Sequence, residues 1–260
     1  MSKVSNITLI SLADKEYYNM LKYLVKSSAK FFPQAKMYVT LVNMSPKYGN
    51  KLVKIHPNLE YKVEPVNFAC DAQKRCYCTN RRADLFYNLR KSRPNDILMW
   101  IDADCIIRKD CSGLLQLIKK NDFDLCVRED NVPKYPNKPP TAINKKKPVK
   151  GFLGGAIIIN ATLGGTRFIQ EYRKVVSQKS HLKIDRRIGT VKENKEVFKI
   201  WMLNQKQIYG VYKRNIKFIR LKMLPEKFCD TWFYDDSVIW AAIWNNKYEY
   251  RFENEYEKLK

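Results

Sequence analysis

Two aspartates, Asp102 and Asp104, stand one residue apart where the apolar run 97–101 ends in NDILMWIDADC (95–105). Residues two apart point the same way while a chain stays extended, so these carboxylates repel one another unless something positive lies between them. A hard divalent cation, bound by oxygen ligands and shared with a phosphate, resolves the repulsion. Capping of the next turn, or pairing with the abundant Lys and Arg, resolves it too. Arg82 opens a helical stretch on the face of Phe86 and Leu89, where a guanidinium suits pyrophosphate or a base. The alternative for Arg82 is an ion pair with Asp84 or a neighbour, and Arg81 is the weaker candidate of the two arginines. Steps of four, three and four link Val197, Trp201, Asn204 and Ile208 on one helical face. An amide in that apolar stripe needs a partner, either a sugar hydroxyl or a backbone group. Gly154 and Gly155 either admit backbone close to a ligand or mark a bulge.

The elements that position these residues alternate in type. Strands are expected at 6–14, 36–44, 59–66, 96–104, 123–130 and 151–162, with helices at 14–31, 79–91, 112–120, 165–179 and 194–209. Asp14 is read as the cap of the first helix and Thr79 or Asn80 as that of the second. Such alternation implies βαβ units and an α/β fold with a mostly parallel sheet. Runs such as ILMWI and AIIIN fit strands covered on both faces. Ligands of such sheets bind beyond the carboxyl ends of the strands, where Asp102 and Asp104 stand. Residues 131–150 hold five prolines and six lysines and no acid, and are read as a long mobile loop over a site, within one domain spanning 1–260.

Composition narrows the classes. A chain of 260 residues, 45% apolar, is long enough to bury a core and is not of the disordered type. No apolar run approaches the ~20 residues of a membrane span. The apolar patch near the N-terminus is too short for a signal peptide, so a soluble cytoplasmic protein is expected. Seven cysteines in no regular pattern suggest reduced thiols; Cys70, Cys76 and Cys78 cluster, but without a CxxC pair and with only two histidines they make a poor zinc site. The net charge of +23 selects anionic partners, whether nucleotides, nucleic acid, acidic glycans or an anionic membrane surface, unless it is merely a solvated basic exterior.

WIDADC after its hydrophobic strand resembles the metal-binding Asp-x-Asp motif of GT-A fold glycosyltransferases, with Asp102 and Asp104 as metal ligands and Ala103 beside the donor. The likeness extends along the chain. GFLGGAIIINAT (151–162) is similar to the segment of family-8-like members that lines the donor sugar, here with Gly154 and Gly155. WMLNQKQIYG (201–210) resembles the helix whose Asn-Gln pair, here Asn204 and Gln205, lies near that sugar. TLISLAD resembles the strand whose end cradles the nucleotide, which implicates Ser11 and Ala13. The resemblance also sets a basic residue of the Arg82 helix near the nucleotide. It implies a divalent cation, Mn²⁺ or Mg²⁺, and a nucleoside-diphosphate sugar, UDP-sugar foremost, as donor to a glycan, lipid-linked or protein acceptor. One departure stands out: a third ligand, histidine in such members, falls on Trp240. Asp235 and Asp236 are candidates to replace it, or to act as general base, or to form an exposed turn.

Other classes fare less well. A sugar-nucleotide pyrophosphorylase would carry a Gly-rich loop after the first strand, whereas GGTR comes only at 164–167. No helix-turn-helix, zinc-finger or RNA-binding signature supports a nucleic-acid partner. A non-catalytic binder of nucleic acid or nucleotide sugar is the alternative to a transferase.

Overall fold

The computed structural model describes residues 6–120, 122–129, 151–176, 178–184, 195–231, 235–241 and 249–258, so the Pro/Lys-rich stretch 131–150 lies outside the described residues. Seven strands form the main sheet: β1 (Ile7–Ala13), β2 (Lys36–Val42), β3 (Leu59–Glu64), β4 (Ile97–Ile101), β6 (Leu125–Glu129), β7 (Phe152–Ile159) and β8 (Leu221–Met223). Their order is β3-β2-β1-β4-β7-β6-β8. Every pairing is parallel except those of β7, which runs against both β4 and β6. Because of that reversal, β7 begins at the sheet edge where β4 ends.

Alternation along the strands feeds two cores. Ile97, Met99 and Ile101 of β4 face one side, with Leu21 and Leu24 of α1 (Tyr18–Phe31), Leu52 of α2 (Pro46–Val53) and Leu114 of α5 (Ser112–Lys119). Leu98 and Trp100 face the other, with Phe86 of α4 (Arg82–Ser92), Phe168 of α6 (Leu163–Val175) and Ile208 of α8 (Leu203–Arg214). Helices on both faces are why β1 and β4 are buried without interruption.

Several local expectations are corrected. Thr79 and Asn80 cap nothing: they end α3 (Asp71–Asn80), and α4 follows after a break at Arg81. The Thr79 hydroxyl donates back to the Arg75 carbonyl, and the Asn80 amide to that of Ile200. Asp14 accepts from the backbone N–H groups of Glu16 and Tyr17, closing the turn before α1. The stretch 194–209 is two helices, α7 (Lys195–Trp201) and α8, interrupted at Met202. A short antiparallel pair, β5 (Cys105–Ile107) with β9 (Ile239–Ala241), was not visible in the periodicity, and α9 (Glu249–Lys258) packs against α1.

Candidate active site

Asp102 is the first residue beyond β4, and there the chain ceases to be extended. Its carbonyl accepts from the N–H of Cys105 in a tight turn, while its own N–H donates to the Gly155 carbonyl. The two aspartates are therefore not successive same-side residues of a strand, as extension would require. Asp104 is buried in the turn, and Ala103 between them packs into the core.

The Asp102 side chain is held firmly. Its Oδ1 accepts from Arg82 Nη2 at 2.7 Å and from the Trp100 indole N–H at 2.5 Å. The guanidinium also lies over the Trp100 ring, 4.5 Å from its centroid. Arg82 is only 4% exposed, and the Asp102 side chain is 33% exposed. Buried Nε and Nη1 of Arg82 have no hydrogen-bond partner among the described residues. Arg82 thus reaches across to β4 instead of pairing with Asp84, which is bound by Arg173 at 2.9 Å. Arg81, the weaker candidate, is committed elsewhere in a two-pronged pair with Glu64 at 2.7 and 2.9 Å.

The glycines give this pair its room. A Cβ on Gly154 would stand 2.6 Å from Arg82 Nη1. On Gly155 it would meet the Ala241 Cβ at 3.3 Å, Cys229 Sγ at 3.4 Å and Asp102 Oδ2 at 3.9 Å. Burial pushes the Cys229 thiol up to about 12; Arg128 pulls it down and Asp102 adds to the rise. Ala241 is therefore the β9 residue on the site's side. Trp240 points the other way, fully buried with Tyr23, Ile106 and Phe252. Strand alternation explains this, since β9 turns successive side chains to opposite faces.

Among the described residues no three His, Cys, Asp or Glu side chains come together to hold a metal ion. Two carboxylates do not by themselves close a coordination shell, so a hard cation held by Asp102 and Asp104 would need its remaining ligands from phosphate and water.

Other candidates spread out. Ser11 is buried inside β1 with its hydroxyl unpartnered among the described residues, and Ala13 ends the strand. Just beyond, a cleft of ≈ 430 Å³ is lined by Asp14, Lys15, Glu16, Val42, Asn43 and Lys74. Asn43 adopts φ 54°, a left-handed conformation that Asn tolerates, and exchanges two 2.7 Å hydrogen bonds with the Val66 backbone. Burial opposes charge on Lys74, yet Glu16, Asp71 and Asp14 outweigh it and raise its pKa. Sequence reading missed Asn43 and Lys74; a lone Asn at a strand end was the only signal. Asn204 is buried and donates to the Thr79 carbonyl at 2.6 Å, while its own carbonyl accepts from Tyr172 at 3.2 Å. Its internal-bond reading thus has a concrete partner, and Gln205 beside it is half-buried. Asp235 and Asp236 are exposed in a turn, where the Asp235 carbonyl accepts from Lys109.

No family model and no curated protein matches the sequence. Solved structures do match the fold. The glycosyltransferase GlyE of Streptococcus pneumoniae TIGR4 aligns with TM-score 0.58 at 12% identity, over 97% of this chain and 60% of its own. The galactosyltransferase LgtC, solved with donor and acceptor sugar analogues, aligns with TM-score 0.57 at 13% identity, over 97% of this chain and 96% of its own. The chain thus spans three fifths of GlyE and nearly all of LgtC. Its fold is the GT-A-like α/β fold of these two proteins. No helix among the described residues is long and apolar enough to cross a membrane.

Proposed function

We propose that the chain is a glycosyltransferase that moves a sugar from a nucleoside-diphosphate sugar, a UDP-sugar foremost, to an acceptor hydroxyl. The carrying observation is Arg82: a buried guanidinium at the carboxyl edge of the sheet, with two donors unpartnered and one arm on Asp102. Buried donors left unmade are costly, and a diphosphate or sugar oxygen arriving over Gly154 and Gly155 satisfies them. Asp102 and Asp104 are the residues that would hold Mn²⁺ or Mg²⁺. When bound, that cation neutralises charge building on the departing diphosphate. Arg82 supplies charge-assisted hydrogen bonds to the same oxygens, and Trp100 keeps both Arg82 and Asp102 in position.

The deciding experiment is thermal unfolding with UDP, GDP and their sugars, with Mn²⁺ or EDTA, on wild type and Asp102→Asn/Asp104→Asn. Stabilisation that requires both metal and carboxylates supports the reading; no shift with any nucleotide removes it. A second reading, a binder of nucleotide sugar without turnover, draws on the lack, among the described residues, of a third ligating side chain grouped with Asp102 and Asp104. Binding without donor cleavage or transfer would favour it.

A further inference from the structure

Three exposed apolar side chains protrude from the sheet edge opposite the site. Leu163, first residue of α6, is 92% exposed, Ile216 58% and Phe218 56%. The two loops that carry them abut, for a Cβ on Gly164 would come within 2.9 Å of the Phe218 carbonyl. The Arg167 guanidinium lies 4.0 Å over the Phe218 ring and bonds Asn215 at 3.2 Å, which fixes the aromatic tip outward. Exposed Lys213, Arg214, Lys217 and Arg220 flank these tips along the chain. Two acids lie beside Arg220: buried Asp124, which it holds at 2.9 Å, and exposed Asp122, which Lys222 holds at 2.6 Å.

The location follows from the reversed strand. Ile159, at the end of β7, pairs with Leu98 near the start of β4 and with Leu125 at the start of β6. Asp102 lies at the other end of β4, four residues from Leu98, roughly 13 Å away at ~3.3 Å per strand residue.

We propose that this edge docks on an anionic lipid surface, with Leu163, Ile216 and Phe218 entering the headgroup region and the surrounding cations meeting acidic headgroups. Apolar tips within a basic rim suit an interface that is apolar inside and negative outside. A nucleic-acid backbone would engage the cations but offer nothing to Leu163 and Ile216. Docked so, the sheet edge bearing Asp102 and Arg82 faces away from the bilayer. The inference does not depend on the chemistry proposed for that site.

The test is co-sedimentation of the full chain with phosphatidylcholine vesicles, with and without phosphatidylserine. Wild type should bind the anionic vesicles, and Leu163→Ser/Ile216→Ser/Phe218→Ser should lose about tenfold or more of that affinity at unchanged thermal unfolding. Lys213→Ser and Lys217→Ser should each lose about fivefold. Phe218→Trp should be quenched by brominated acyl chains. Equal binding of wild type and the triple variant, or an unquenched Phe218→Trp, overturns the proposal. Failure of wild type to bind vesicles, while these same residues capture a single-stranded oligonucleotide, overturns it in favour of nucleic acid.

Discussion

Arg82 Nη2 and Asp102 Oδ1 are 2.7 Å apart, joining the first residue of α4 to the first residue beyond β4. The contact pins a helix start to a strand end at the carboxyl edge of the sheet, and it leaves most of the guanidinium's donors for something else. Either side chain alone would be a poor tenant there: one a buried cation, the other a carboxylate beside an indole N–H.

Arg82→Ala should therefore abolish nucleotide-dependent stabilisation and cost about 1–3 kcal/mol of folding free energy, below the cost for a fully buried pair because Asp102 is partly solvated. Arg82→Lys should rescue little binding, since an ammonium lacks the planar fork. Denaturant unfolding and nucleotide titration separate the two effects.

Gly154→Ala and Gly155→Ala should differ in kind. At Gly154 the new methyl group displaces the Arg82 guanidinium, so donor affinity falls while the fold survives. At Gly155 the methyl group meets Ala241 and Cys229 at distances that a few tenths of an ångström relieve. Calorimetric titration with UDP-sugar and Mn²⁺ should rank the loss at Gly154 above that at Gly155.

Restoring histidine at position 240 should not create a metal ligand. Trp240→His leaves a void beside Tyr23 and Phe252 and should destabilise by about 3 kcal/mol, near the lower bound for emptying an aromatic site. Manganese affinity should not improve. A tighter Mn²⁺ site in this variant would mean that β9 presents its faces the other way round.

His56 supplies a pH dependence of stability. It is buried beneath α1, 3.4 Å from the Ser28 hydroxyl, and burial lowers its pKa from the usual 6.5. With the folded value depressed, the unfolded chain binds more protons below pH 6.5. Stability is thus complete above that pH and declines as pH falls from 6.5 towards the folded value. Urea midpoints between pH 7.5 and 5 should show the decline, and His56→Gln should flatten it.

Much of the fold was legible because burial on both faces of a parallel sheet leaves long apolar runs. β1, β2, β4, β6 and β7 fell where such runs predicted, and β3, a half-exposed edge strand, where its Leu, Tyr and Val alternate with charged residues. What escaped was short or irregular: β5 and β9 are three residues each and exist only because they pair with one another. The α3–α4 break carries no Gly or Pro, so nothing local announced that Thr79 and Asn80 sit within a helix. At the site, spacing pointed to Asp102 and Arg82 separately, but not to their contact, which depends on how α4 lies over β4. The two-residue spacing of the aspartates misled on geometry, because the chain turns at Asp102. Asn204 was rightly marked as an amide needing a partner, although only the packed structure names Thr79.

The pairing of Cys105 with Ala241 spans more than half the chain, and it has a consequence for biosynthesis. β1 to β4 and their helices can assemble while the remainder is still being translated. The wall that Ala241 and Cys229 form beside Asp102 cannot, because it requires residues from the last stretch to emerge. A nascent chain therefore acquires the β1–β4 part of its sheet early and its complete Asp102 surroundings late. A ribosome stalled once β4 has emerged, but before Cys229 and Ala241 have, would display part of the sheet with the surroundings of Asp102 unfinished.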